Sequence, residues 1–171
     1  MNEIVNKIAN SALEVFDLED YYPQQQIIEI DVAQWLHEGF VLKEKEFRKQ
    51  LNAVNWQQYQ NCNIAIYCSS DAILPSWATI LVTSHLTPFA TKVILGAAPN
   101  LVHQHYTELL AAIDYTVYAN KSVILKGCSK KPVPESAYVF AIQKLQPFAK
   151  SIMYGEACSA VPIFKKRDSV V

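Results

Sequence analysis

Two segments of this chain overlay without a gap: Pro75–Gly96 and Pro134–Gly155. At a constant offset of 59 they share seven of 22 positions: Pro75/Pro134, Ala78/Ala137, Leu86/Leu145, Pro88/Pro147, Phe89/Phe148, Ala90/Ala149 and Gly96/Gly155. The dipeptides Cys68-Ser69 and Cys128-Ser129 precede them at an offset of 60, so the sequence predicts connecting loops that differ by one residue. Self-similarity at a fixed spacing marks a repeated supersecondary unit. Here the unit reads as strand, Cys-Ser loop, proline-started helix and strand, present twice.

The rest of the chain fits that alternation. "NIAIYC", "KVILG", "SVILKG" and "SIMYG" are short apolar runs of the kind that strands buried on both faces require. "PSWATILVTSHL" and "PESAYVFAIQKL" open on proline, which a first helical turn tolerates. "NLVHQHYTELLAAI" places Leu101, Tyr106, Leu109, Leu110 and Ile113 largely on one helical face. Upstream, the segment ending at Tyr22 has a loosely helical spacing, "QIIEIDV" predicts a strand and "VAQWLHEGF" a helical turn ended by Gly39. "FVLKE" is a further strand candidate, and "KEFRKQLNAV" has helix spacing at Phe47, Leu51 and Val54. The fold expected is α/β: a mainly parallel sheet with helices packed on it, containing two internally repeated βαβ units. A single domain over residues 1–171 is expected, with 1–60 an N-terminal strand and helix portion, 61–158 the duplicated units and 159–171 a tail. Phe89, Phe148, Leu86 and Leu145 are expected to be the repeated buried anchors.

Composition removes several function classes. The net charge of −1 offers no footprint for a phosphate backbone, so nucleic acid is not an expected partner. Four glycines, Gly39, Gly96, Gly127 and Gly155, exclude a dinucleotide fingerprint and a Walker-type loop, which need several close together. No Gly-x-Ser-x-Gly elbow and no His-Glu-x-x-His occur. Glu3, Lys7 and Glu14 interrupt the opening segment, which predicts no signal peptide, and no run is long and apolar enough to span a bilayer. A cytoplasmic chain is expected, with reduced thiols at Cys62, Cys68, Cys128 and Cys158.

Those thiols are the best chemical candidates. In a parallel sheet with right-handed crossovers, equivalent strands end on one edge, where ligands gather. Cys68, Cys128 and Cys158 all follow strands and are expected at that edge, whereas Cys62 begins a strand and is expected to pack at the other end. Helix N-termini near Pro75 and Pro134 favour thiolate over thiol. Three sulfurs with Asp71, Glu135, Glu156 or a water as the fourth ligand suit zinc or iron, because soft thiolates select such metals. The alternative is that separated cysteines simply pack. His103 and His105, two apart on a helix, point to different faces and are expected to share no metal.

The motifs "LEDYYP" (Leu18–Pro23), "KEKEFR" (Lys43–Arg48), "CSSDAILPSWA" (Cys68–Ala78), "GCSKKPVPESAY" (Gly127–Tyr138) and "SIMYGEACSAVP" (Ser151–Pro162) run through most of the chain. Together they resemble a family of uncharacterised Bacteroidetes proteins, domain of unknown function 2480. The resemblance keeps Cys68, Asp71, Cys128, Glu135, Glu156 and Cys158 in view. It also implies a link to iron–sulfur assembly machinery as a protein partner. Three functions are therefore expected to compete: a zinc or iron thiolate protein serving metal or sulfur handling, a metal-free thiol enzyme or sulfur-transfer protein, and a structural or interaction domain with packing cysteines. The oligomeric state, the substrate and whether the chain is an enzyme are not encoded in any motif.

Overall fold

A computed structural model of the chain describes residues 13–127, 129–156 and 158–167. The described residues are mixed α/β, with four α-helices and two mostly parallel sheets. It divides into two compact units: residues 23–104 form one, and residues 1–22 with 105–171 form the other. The contiguous unit therefore lies, in sequence, inside the discontinuous one.

The contiguous unit holds strands β2 (Ile27–Asp31), β3 (Asn63–Tyr67) and β4 (Lys92–Leu95), with helices α1 (Glu44–Ala53) and α2 (Ser76–Leu86). Its sheet is parallel in the order β2-β3-β4. The strand period of two decides which helix each residue meets. Ile64 and Ile66 join Phe47 and Leu51 of α1 and Ala78, Val82 and Leu86 of α2 in one core cluster. Ala65, on the opposite face, joins Ile94 and Leu101 in another. Leu101 sits in helix α3 (Ala98–Ala111), within which the division between the units falls.

The discontinuous unit holds β1 (Leu13–Asp17), β5 (Ser122–Lys126), β6 (Ser151–Tyr154) and β7 (Val161–Lys165), with helix α4 (Glu135–Leu145). Its order is β1-β5-β6-β7; only the β6/β7 pair is antiparallel. Val123, Ile124 and Leu125 are buried, as are Ala137, Ala141 and Leu145 of α4.

Element positions in the two units keep one spacing. β3, α2 and β4 have counterparts in β5, α4 and β6 at the same offset of 59 residues. Details follow the offset. Asn61 and Asn120 have φ of 60° and 58°. Their N–H groups donate to Phe89 O and Phe148 O at 3.0 and 2.9 Å. Trp56 Nε1 donates to Leu51 O and the Tyr115 hydroxyl to Leu110 O, each at 2.9 Å.

Several expectations are corrected. The described strands form two sheets, not one. Leu13–Asp17 is a strand followed by a 3-10 turn at Leu18–Tyr21, where the opening spacing suggested helix. "FVLKE" supplies one isolated bridge, His37 with Val41, and no strand. β7 occupies what reads as a tail; Pro162 sits beside a register shift at Ile152/Met153 on the outer strand, where a missing N–H is tolerated. Leu86 and Leu145 are fully buried, but Phe89 and Phe148 are only partly so, because each follows its helix in a surface turn. The loops after β3 and β5 also have equal length, 68–75 and 127–134. What shifts is the cysteine: Cys68 directly follows its strand, whereas Gly127 takes that place before Cys128. No helix among the described residues is long and apolar enough to cross a membrane.

Candidate functional site

Both Cys-Ser loops are held by a carboxylate at or just beyond the end of the neighbouring parallel strand. In the contiguous unit Asp31, the last residue of β2, accepts from Ser69 N at 3.0 Å and from the Ser69 hydroxyl at 2.5 Å. The same carboxylate caps the following 3-10 turn through Ala33 N at 2.9 Å. Burial alone would raise its pKa; the Ser69 hydroxyl and the Ala33 and Ser69 N–H groups outweigh it, and the net shift is downward. In the discontinuous unit Glu19 accepts from Ser129 N, from the Ser129 hydroxyl at 2.9 Å and from Lys130 N at 2.7 Å. The Lys130 N–H leads in lowering the Glu19 pKa, against a smaller upward push from desolvation.

The discontinuous unit needs a different clasp because its strand-end aspartate is engaged. Asp17 caps its own 3-10 turn through Glu19 N at 3.0 Å. It also meets Lys126 Nζ at 3.1 Å, and the same ammonium lies 3.8 Å from Glu156 Oε1. The Asp17 hydrogen bond, then the Asp17 and Glu156 charges, raise the Lys126 pKa. One lysine thus ties together the ends of β1 and β5 and the segment after β6.

The predicted ligands distribute as follows. Cys68 is half-buried, packs against the contiguous unit's core and has its Sγ 3.3 Å from Ser70 Oγ. Asp71 is exposed and lines an open groove of about 600 Å³ with Phe40, Ile73 and Trp77. Glu135 is the exposed first residue of α4, and Glu156 is exposed beside Lys126. Cys158 is exposed. Cys128 lies outside the described residues. Cys62 is buried and its thiol reaches Gln60 O at 3.6 Å, as a packing cysteine should. His103 is exposed, and His105 Nε2 lies 3.0 Å from Tyr21 O. The expectation of one sheet edge for all three cysteines is replaced by two edges, since Cys68 follows β3 and Cys128 follows β5. Among the described residues no group of three or more His, Cys, Asp or Glu is placed to hold a metal ion.

Asp17, Glu19, Asp31 and Lys126 were not singled out from sequence. A signal existed: Phe16-Asp17-Leu18 and Ile30-Asp31-Val32 each precede an aromatic residue, Tyr21 and Trp35, at the same distance.

The Asp31 clasp carries a pH prediction. A carboxyl with a lowered folded-state pKa contributes stability above its unfolded value, lost as pH falls through the folded value. Between about pH 5 and about pH 3 wild type should therefore lose more stability than Asp31→Asn. Urea unfolding across that window checks it; equal slopes would mean the clasp contributes nothing.

The architecture is that of a two-sheet α/β protein with carboxylate-clasped loops at its strand ends. The chain belongs to the protein family of unknown function DUF2480, whose model matches residues 2–166. No curated protein matches it, and no solved structure does.

Proposed function

We propose that this chain is a cytoplasmic thiolate protein that binds zinc or iron through Cys128 and Cys158, as an accessory in metal or sulfur handling. The observation that carries this reading is the Asp17–Lys126–Glu156 ion-pair chain. β5 and β6 are parallel neighbours, with Leu125 opposite Tyr154 at their ends. Cys128 lies two residues beyond Lys126 and Cys158 two beyond Glu156, so the ion pair joins the segments that bear the two thiols. Two thiolates give the soft donor set that selects zinc or iron over magnesium or calcium. Glu156 and Glu135 are the carboxylates of that unit available to complete it, and the Lys126 ammonium offsets the excess negative charge. The ion-pair chain does not include Cys68 and Asp71, which lie in the contiguous unit, so the proposal is argued on Cys128 and Cys158.

The test is elemental analysis of protein purified without chelator. Wild type should retain about one zinc or iron per chain, and Cys128→Ser or Cys158→Ser should lose most of it. Cys68→Ser and Cys62→Ser should retain it. Metal-free wild type, or equal loss in Cys68→Ser, would overturn the assignment.

Lys126 also favours a second reading, because it already engages Glu156, one of those two carboxylates. In that reading the pair is metal-free, and one of Cys128 and Cys158 is a nucleophile. An activated thiol reacts well below the reference pKa of about 8.5, so alkylation rate against pH separates the two.

The equal spacing of β3-α2-β4 and β5-α4-β6 supports a further reading, that they are two copies of one βαβ unit, with the thiol pair retained in only one copy.

A further inference from the structure

Ile66, Ile80, Thr83 and Leu95 line an open groove of about 340 Å³ between β4 and α2. Ile80 and Leu95 are 66% and 71% exposed. At the offset of 59 the corresponding positions are Leu125, Val139, Ile142 and Tyr154, which line a smaller groove of about 180 Å³. That second groove has a lining residue with no counterpart in the first: Ile163 of β7. β7 runs antiparallel along the outer edge of β6, with Val161 opposite Tyr154 and Lys165 opposite Ser151. β4 holds the place of β6 in its own sheet, but it is the outermost strand there.

We propose that the outer edge of β4 takes an extended strand from a partner protein, added antiparallel as β7 adds to β6, with a branched aliphatic side chain entering between Ile80 and Leu95. An outer strand with an apolar groove beside it is the usual template for strand addition: main-chain hydrogen bonds give affinity and the groove selects the side chain. The backbone is set for it. Lys150 N donates inward to Lys121 O at 2.8 Å, and Lys150 O accepts from Lys166 N next to β7 at 2.8 Å. Thr91, the counterpart of Lys150, donates inward to Cys62 O at 2.8 Å in the same way, which leaves its carbonyl aimed where an added strand would lie.

The groove calls for an apolar occupant. Thr79, Thr83 and Thr87 donate their hydroxyls to Ser76 O, Thr79 O and Thr83 O at 3.1, 2.8 and 2.8 Å. Their polar atoms are thereby turned into the helix, and their methyl groups are left to the groove. Charge narrows the partner further. Lys92 stands where β6 has Ser151, the residue facing Lys165. Like charges directly opposite across strands are destabilising, so the added strand carries an acidic or neutral residue there. That disfavours β7 of a second copy, whose Lys165 is followed by Lys166 and Arg167.

The probe is a capped, fluorophore-labelled peptide of residues 159–167 carrying K165E, K166E and R167E, titrated into the full chain. Saturable binding is expected, with slowed amide exchange over residues 91–95. Ile80→Glu and Leu95→Glu, each folded by circular dichroism, should weaken binding about tenfold or more, and Ile73→Glu should not. Cys128→Ser should bind the peptide unchanged, so the result stands apart from the thiol assignment. Absence of saturable binding, or binding by both groove variants as tight as wild type, overturns the proposal. So does a wild-type dimer that Ile80→Glu converts to monomer, since the groove would then be an interface between copies.

Discussion

Phe47→Ala should lower the stability of the contiguous unit by about 3–5 kcal/mol. Phe47 is fully buried on the inner face of α1, one turn from Leu51, which is also fully buried. Its ring stands edge-on to Trp35 and Trp77, with centroids 6.3 and 6.0 Å away. Truncation removes a large apolar area and leaves a cavity between α1 and the sheet that rigid indole neighbours cannot close. All three tryptophans, Trp35, Trp56 and Trp77, belong to this unit, so indole fluorescence during urea unfolding reports on it alone. Leu86→Ala, at another fully buried position, should cost about 2–5 kcal/mol by the same measurement. A Phe47→Ala loss below about 1 kcal/mol would mean that α1 docks loosely and that the core rests on α2.

Periodicity made most of the elements legible. β3 and β5 read as buried strands because Ile64-Ala65-Ile66 and Val123-Ile124-Leu125 meet apolar partners on both faces, which leaves no polar alternation to hide them. β1 did not, since the spacing of Ile4, Ile8, Leu13 and Phe16 suits a helix stripe, and only pairing with β5 makes Leu13–Asp17 a strand. β7 was hidden by Pro162, which is a breaker in a paired central strand and harmless at a bulge on an outer one. The number of sheets could not be read from local pattern at all. Each βαβ segment satisfies the same local rules whether its strands share a sheet or not, and the choice rests on β1 pairing with β5 while β2 pairs with β3.

The candidate site was legible only in part, for a related reason. Its thiols stand out as residue types, but the groups that position their loops are the carboxylates of Asp17 and Glu19, far away in sequence. Glu19 reaches Ser129 across more than a hundred residues, and Asp17 reaches Lys126 across a comparable span. The cysteines are also out of step with their strands by one residue, so the Cys-Ser dipeptides do not mark equivalent loop positions. Aligned instead by strand ends, Cys68 faces Gly127, so a thiol in one unit stands where the other has no side chain.

Gly127→Ala should cost about 2–4 kcal/mol, through backbone strain and overpacking together. Gly127 has φ of +155°, which side-chain-bearing residues rarely adopt. A Cβ there would come within 2.8 Å of the Tyr138 hydroxyl and 3.2 Å of Leu18 Cβ. Leu18 is fully buried, and the carbonyl of Leu18 accepts the Tyr106 hydroxyl at 2.8 Å, so that side of the contact has little room to yield. The strand end must move instead, and with it the link from Lys126 to Cys128. Gly39→Ala is the control: its Cβ would meet nothing within 4 Å, although its φ of +77° still carries some strain. Thermal unfolding followed by far-ultraviolet circular dichroism should show a clearly larger loss for Gly127→Ala than for Gly39→Ala. If Cys128 is a ligand, the Gly127 variant should also retain less metal while still folded at low temperature. Equal stability of the two variants would show that the loop after β5 absorbs a methyl group freely, and the positioning of the Cys128 segment by its strand end would have to be abandoned.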